Sequence, residues 1–144
     1  MMEVVYLPLL GFTMFKPKLL TGEKHQTIRK VRKRPIVVGD ILHIYWHLRQ
    51  KDCEKLLEDY CKETFFITII YHRHFPNKWD GPALRVDVHT GPQSYAPGYT
   101  MSDSQVEDLA RSDGFESQWE MAEAFLRMHA GCVDGKTVFQ VIRW

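Results

Sequence analysis

The segment that most constrains the fold is residues 65–71, which read FFITIIY. Every residue in it is aromatic or β-branched, and these are the residue classes that favour β-strands. The chain ends in a second strand-like run, TVFQVIRW, at residues 137–144. Two segments with apolar residues at helical spacing lie between these runs. Strands that flank a helical pair predict an α+β fold, with a mostly antiparallel and barrel-like sheet.

Two capping boxes predict where the helices begin. Ser102 is followed three residues later by Gln105, and Ser117 is followed in the same way by Glu120. In a capping box the two side chains satisfy free backbone N–H groups at a helix N-terminus. The first helix is expected to run to about Gly114, and the second to continue through residue 129.

Several shorter elements complete the expected organisation. A strand at residues 4–7 precedes a short helix at 13–21, which ends where Gly22 can adopt the left-handed conformation. Further strands are expected at 27–29, 41–47 and 84–88. Residues 73–100 contain four prolines and three glycines, which predicts a loop-rich insertion. With 144 residues and no linker, the chain is expected to form a single domain over 1–144.

The composition is typical of a globular protein rather than a membrane or disulfide-rich one. Apolar residues make up 44% of the chain, and no apolar run approaches the ~20 residues that a membrane span needs. Cys53, Cys61 and Cys132 are an odd number of cysteines without paired spacing, which favours reduced thiols. We therefore expect a cytoplasmic protein that has no membrane partner.

A metal site is not expected from the spacing of the candidate ligands. Cys53 and Cys61 could be combined with His72 and His74, yet no closely spaced pair of the C-x2-C kind occurs, and structural zinc sites normally contain such pairs. The chain also lacks a glycine-rich phosphate loop. We accordingly expect neither a metal nor an organic cofactor.

Positive charge is concentrated in one short segment. Residues 24–34 contain six lysines and arginines, whereas the formal net charge of the whole chain is +1. A local concentration of charge attracts anions to a cleft. Binding of an anion or of nucleic acid is one interpretation of this segment, and a solvated basic turn is another.

Catalysis is a third interpretation, because Gly22, Lys24, Thr27 and Arg29 form the pattern G-x-K-x-x-T-x-R. If residues 27–29 are extended, Thr27 and Arg29 point to the same face of the strand. A turn at Gly22 would bring Lys24 to them, since glycine accepts positive φ without a steric penalty. A lysine whose pKa is lowered by burial and by neighbouring cations can act as the base that activates a threonine hydroxyl.

The strings LLTGEKHQTIRK, VGDIL, DGF and VIRW together resemble the ASCH domain family, whose members are related to the PUA-like RNA-binding barrels. The resemblance extends from about residue 15 to residue 144. It implies a β-barrel with flanking helices and a cleft that accepts RNA or a nucleoside. Three aromatic residues of the loop-rich segment are candidates for stacking on bases, namely Trp79, Tyr95 and Tyr99.

The resemblance also implies a chemistry. Some small ASCH proteins are amidohydrolases that remove the acyl group from N4-acetylcytidine, using a lysine, a threonine three residues later and a glutamate. The first two fall on Lys24 and Thr27, and Asp113 stands at the glutamate's place. Other members are reported as ribonucleases, and many have no assigned activity. An amidohydrolase, a ribonuclease and a non-catalytic RNA-binding module therefore all remain open.

Asp113 is also of interest by itself. It is expected at the C-terminal end of the first long helix, where the helix dipole disfavours a carboxylate and raises its pKa. A carboxyl group of that kind can pass a proton to a leaving amine.

The candidate site therefore consists of catalytic residues and of residues that bind the substrate. Its candidate catalytic residues are Lys24, Thr27 and Asp113. Its candidate residues for binding substrate or RNA are Gly22, Arg29, Lys30, Arg32, Lys33 and Arg34, of which the last four would form the rim of the cleft. The expected partner is RNA or a modified nucleoside, and no obligatory protein partner is evident.

Overall fold

A computed structural model describes residues 8–71, 84–92 and 98–144 of the chain. The strand expected at residues 4–7 lies outside the described residues, as does most of the loop-rich segment. Four residues considered above also lie outside them, namely His72, His74, Trp79 and Tyr95.

The fold belongs to the α+β class, as expected from the sequence. Among the described residues the strands are β1 (Leu9–Phe12), β2 (Gln26–Lys30), β3 (Ile41–Trp46), β4 (Glu54–Tyr60), β5 (Glu63–Tyr71), β6 (Leu84–His89), β7 (Gly98–Thr100) and β8 (Asp134–Arg143). The helices of the same residues are α1 (Lys16–Thr21), α2 (Asp103–Ser112) and α3 (Gln118–His129), with one 3-10 turn at Ala130–Cys132.

The described strands form two sheets and no closed barrel. The larger sheet has the order β2-β8-β5-β6-β7 and is antiparallel throughout. The smaller sheet has the order β1-β3-β4, in which β1 pairs with β3 in parallel and β3 pairs with β4 antiparallel. The pairing is therefore mostly antiparallel, as expected.

Strand β8 joins the two halves of the hydrophobic core. Phe139 and Val141 are fully buried in a cluster that also contains the apolar faces of α2 and α3. Ile142 and Trp144 belong to a second cluster, which contains residues of β1 and β3. Successive residues of a strand face opposite sides of the sheet, so β8 packs on the helices with one face and on the smaller sheet with the other.

The capping boxes have different outcomes. At α2 both reciprocal bonds form between Ser102 and Gln105. At α3 the Glu120 N–H donates to the Ser117 hydroxyl, but the Glu120 carboxylate accepts from the N–H of Glu116, one residue further back than expected. None of the described helices is long and apolar enough to span a bilayer.

Helix α1 is shorter than the expected helix at 13–21. It begins at Lys16, because the preceding residue, Phe15, has a left-handed backbone conformation with a φ of 67° and so cannot be part of the helix. Gly22, with a φ of 80°, is the left-handed C-terminal residue that the sequence predicts.

Candidate functional site

A cavity of about 540 Å³ opens beside β2 and contains most of the motif residues. This volume falls within the range of small-molecule sites in proteins. Its polar lining includes Lys24, Thr27, Arg29 and Asp113. The apolar wall comes from the end of β1 and the segment after it, from Phe115 and from α3. The members of that apolar wall are Phe12, Met14, Phe15, Phe115, Phe125 and Met128.

The turn at Gly22 places Lys24 in this cavity. The N–H of Gly22 donates to the Leu19 carbonyl at 3.4 Å, and the N–H of Lys24 donates to the Lys18 carbonyl at 2.9 Å. The chain therefore folds back on α1 just before β2 begins. As a result Lys24 is only 3% exposed.

The Lys24 ammonium is held by Asp113 and by two aromatic rings. Its Nζ donates to the Asp113 backbone carbonyl at 2.5 Å and lies 3.5 Å from the carboxylate atom Oδ1. The same Nζ is 5.6 Å from the ring centroid of Phe12 and 5.5 Å from that of Phe15. Both contacts lie within the usual distance of a cation–π interaction.

Burial moves Lys24 and Asp113 toward their neutral forms. The pKa of Lys24 is lowered mainly by burial, and the negative charge of Asp113 opposes that effect. Burial also raises the pKa of Asp113 to about 6, against the opposing influence of Lys24 and Gln26. Asp113 does follow the last turn of α2, as expected, but desolvation rather than the helix dipole is the main cause of its raised pKa.

Thr27 and Arg29 meet as the alternation of strand β2 predicts. The Arg29 Nε donates to the Thr27 hydroxyl oxygen at 3.0 Å, and an Nη donates to the Gly11 carbonyl at 2.5 Å. The guanidinium also lies over the Phe12 ring at 4.8 Å. Burial lowers the pKa of Arg29 to about 10, so the group stays positively charged at neutral pH.

The expected rim is only partly at the cavity. Lys30 lines the cavity, whereas Arg32 donates to the Leu9 carbonyl at 2.7 Å and so ties the segment to β1. Lys33 and Arg34 are exposed and lie outside the cavity wall. Gly22 is also outside the wall, and its contribution is the turn described above.

Gln26 is the most informative residue of the site that the sequence motif did not indicate. It is 0% exposed, and its amide contacts the Asp113 carboxylate. Its position between Lys24 and Thr27 is the one signal in the sequence that could have indicated a role.

His129, at the end of α3, also lines the cavity, and nothing in its spacing distinguishes it from other helix residues.

Tyr99, a candidate for stacking on bases, lies elsewhere. It lines a second cavity, which it shares with Phe65 and Arg143. Within residues 8–71, 84–92 and 98–144, no group of three or more His, Cys, Asp and Glu side chains is placed to hold a metal ion.

Comparison of the chain with protein-family models, with curated proteins and with solved structures finds no significant match in any of the three.

Proposed function

We propose that the cavity binds a modified nucleoside and hydrolyses an acyl amide on its base, with N4-acetylcytidine as the test substrate that the ASCH resemblance implies. One observation carries this proposal. Lys24, Thr27, Arg29 and Asp113 line a single cavity, and the Lys24 ammonium is buried 3.5 Å from the Asp113 carboxylate. A hydroxyl nucleophile, a lysine base and a carboxyl group that carries a proton are one set of groups that can hydrolyse an amide without a metal.

Thr27 is the proposed nucleophile. Its oxygen accepts a hydrogen bond from the positively charged Arg29, and such a bond stabilises negative charge on that oxygen. The hydroxyl proton then remains available to a base. Lys24 is that base, because burial lowers its pKa and makes the neutral amine more accessible.

The bonds change in two stages. In the first, the Thr27 oxygen bonds to the amide carbonyl carbon, its proton passes to Lys24, and the carbonyl oxygen becomes an oxyanion that Arg29 stabilises. The C–N bond then breaks, and Asp113 relays the proton from Lys24 to the departing amine. In the second stage water cleaves the threonine ester, which releases a carboxylic acid and restores the hydroxyl. A carboxyl group with a pKa of about 6 is well suited to this relay near neutral pH.

The apolar wall favours a single planar base over an extended strand. Phe12, Phe15 and Phe115 all line the cavity, and the last two pack edge to face at 5.1 Å. Nucleic acid bases stack well on aromatic rings. A cavity of about 540 Å³ suits a nucleoside-sized ligand.

The proposed family assignment extends to the fold. We propose that the two sheets are the two parts of a PUA-like barrel that does not close by continuous strand pairing among the described residues. Support comes from the cluster in which Ile142 of β8 packs with Leu42 and Ile44 of β3, because this contact joins the two sheets through a common core.

RNA binding without catalysis is the second candidate function. Lys30, Lys33 and Arg34 are exposed within five residues of one another, and only the first of them lines the cavity. Exposed cations of this kind contact phosphates, and the affinity that they provide falls steeply with salt.

The test is to incubate the purified protein with N4-acetylcytidine and, separately, with a short RNA. We expect cytidine to be released, and Thr27→Ala to reduce the rate by at least ~100-fold because the nucleophile is lost. Thr64→Ala is the matched control, since Thr64 is a half-buried strand threonine that donates to the Val141 carbonyl and lies outside the main cavity. The control should retain the wild-type rate.

Other outcomes would replace the proposal. Shortened RNA with intact N4-acetylcytidine would indicate a ribonuclease. RNA that is bound in a salt-dependent manner, with no product from either substrate, would indicate the binding module. Equal losses of activity in Thr27→Ala and Thr64→Ala would remove Thr27 as the nucleophile.

A further inference from the structure

The Gln26 amide occupies a buried position beside the site. Its Nε2 donates to the Leu109 carbonyl at 3.0 Å and to the Asp113 carboxylate atom Oδ1 at 3.3 Å. Its Oε1 accepts from the Arg143 Nε at 2.8 Å. The side chain is completely buried, so these bonds replace the water that it would otherwise contact.

The partners determine which end of the amide faces Asp113. A guanidinium can only donate, and a backbone carbonyl can only accept. Arg143 must therefore bond to the amide oxygen, and the Leu109 carbonyl must bond to the amide nitrogen. This leaves an N–H, rather than an oxygen, directed at the carboxylate. A flipped amide would fail at both of the other contacts.

Arg143 is itself held in place. Its Nη1 pairs with Glu63 at 3.2 Å, and its guanidinium lies 5.1 Å from the Phe65 ring centroid. A continuous set of contacts therefore runs from Glu63 on β5 through Arg143 on β8 and Gln26 on β2 to the carboxylate.

We infer that Gln26 is a positioning residue for Asp113, and that its amide, fixed by Arg143 and by the Leu109 carbonyl, holds the carboxylate next to Lys24. The catalytic consequence rests on the proposed function, whereas the positioning itself does not. Asp113 Oδ1 is contacted from two sides, by Gln26 Nε2 at 3.3 Å and by Lys24 Nζ at 3.5 Å. Removal of the amide would leave the lysine as the main remaining restraint on that oxygen.

The other charged groups around Asp113 come from several elements. Lys24 precedes β2, and Arg29 lies on β2; both influence the carboxyl group. Arg143 of β8 acts through the amide. Lys18 of α1 donates to the carbonyl of Gly114 and to the Glu116 carboxylate. Substitution of Gln26 leaves all of these groups in the chain, so a change in Asp113 reports on the amide.

The experiment follows the Asp113 carboxyl carbon by NMR as a function of pH. In Gln26→Leu we expect Asp113 to titrate about one pH unit higher than in the wild type, because a hydrogen bond to the ionised form is lost. In Gln26→Glu we expect a larger upward change. That variant keeps the volume and the contact with Arg143 but turns a carboxylate oxygen toward Asp113.

Gln140→Leu is the matched control. Gln140 is also a buried strand glutamine, and its amide bonds to the backbone of Ile36 and to Thr64 instead of to the site. We expect this variant to lose stability as Gln26→Leu does and to leave the titration of Asp113 unchanged. A merely structural role for Gln26 would give the two leucine variants the same result.

The inference is overturned if Asp113 titrates at the wild-type pH in the folded Gln26 variants, or if Gln140→Leu moves it equally. If neither Gln26 variant folds, Arg143→Met is tested by the same measurement. It removes the hydrogen bond that holds the Gln26 amide oxygen, and Arg143 is partly exposed, so this substitution disturbs the core less. If the protein hydrolyses N4-acetylcytidine, the pH dependence of its rate that is due to Asp113 should shift in the Gln26 variants by as much as the NMR titration does, and KM should not change.

If the titration of Asp113 shifts but the protein leaves N4-acetylcytidine intact, the proposed function is refuted and the positioning role of Gln26 is retained.

Discussion

At the scale of single residues, Lys24 and Asp113 place opposite charges in a part of the protein with little access to water. They are 3% and 7% exposed, respectively. The desolvation of two buried ions offsets much of their attraction, and the distance of 3.5 Å between Nζ and Oδ1 is longer than a good charge-assisted hydrogen bond. The pair therefore carries a desolvation cost, and the same desolvation shifts the pKa of both groups toward the neutral form.

This cost leads to a prediction about stability. Lys24→Met alone and Asp113→Asn alone should each lower the free energy of unfolding by about 3 kcal/mol, because each leaves one buried charge without its partner. The double variant should recover most of that loss and should be inactive. Urea denaturation of the four proteins measures the coupling. Additive losses in the double variant would contradict a direct interaction of the two side chains.

At the scale of elements, Gly114 decides how closely the end of α2 approaches the lysine. It has a φ of 101°, and a Cβ atom built there would lie 3.0 Å from the Phe15 ring and 3.2 Å from the Lys24 side chain. Glycine is therefore required at this position for two reasons: the positive φ, and the close approach of Phe15 and Lys24 to the backbone. The glycine follows Asp113 directly, so it also sets the direction in which the chain leaves the carboxylate.

Gly114→Ala should consequently affect both stability and the site. We expect a loss of about 3 kcal/mol, from left-handed strain together with crowding of Phe15 and Lys24. Gly39→Ala is the control, since Gly39 has a φ of 97° and its Cβ would meet nothing within 4 Å. That variant should lose about 1–2 kcal/mol from strain alone and keep its activity. Thermal unfolding and the N4-acetylcytidine assay would measure the two effects, and equal losses of stability would rule out the crowding.

The elements differ in how well the sequence predicts them. β5 and β8 were predictable because aromatic and β-branched residues dominate them. β4 has the sequence EKLLEDY and was missed. It lies at the edge of the smaller sheet, and charged residues are common on edge strands, where they prevent association with other chains. Its strand conformation thus depends on pairing with β3 rather than on its own composition.

At the scale of the whole molecule, β8 connects the parts of the fold. Val141 is buried against the helices, and Ile142, the next residue, is buried against the smaller sheet. β8 also lies between β2, which carries the motif, and β5. The position of the cavity residues therefore depends on both clusters.

The two faces of β8 should consequently unfold together. Val141→Ala and Ile142→Ala should each lower the free energy of unfolding by about 2–4 kcal/mol, because each leaves a cavity in a closed core. Val37→Ala should change it by less than about 0.5 kcal/mol, since Val37 is 55% exposed. Far-UV and near-UV circular dichroism should give coincident transitions in all variants. Separate transitions in Ile142→Ala would show that the smaller sheet unfolds independently.

The sequence by itself determined the features that depend on near neighbours. The capping box at Ser102, the left-handed Gly22 and the shared face of Thr27 and Arg29 each involve residues within a few positions of one another, where backbone geometry leaves little choice. Tertiary structure alone decided which distant groups meet. Gln26 and Asp113 are 87 residues apart in the chain, and their contact arises because burial of the apolar faces of β2, β8 and α2 brings the two side chains together. The desolvation that shifts the pKa of Lys24 and of Asp113 has the same origin, since it depends on the packing around both groups and not on the residues beside them in the sequence.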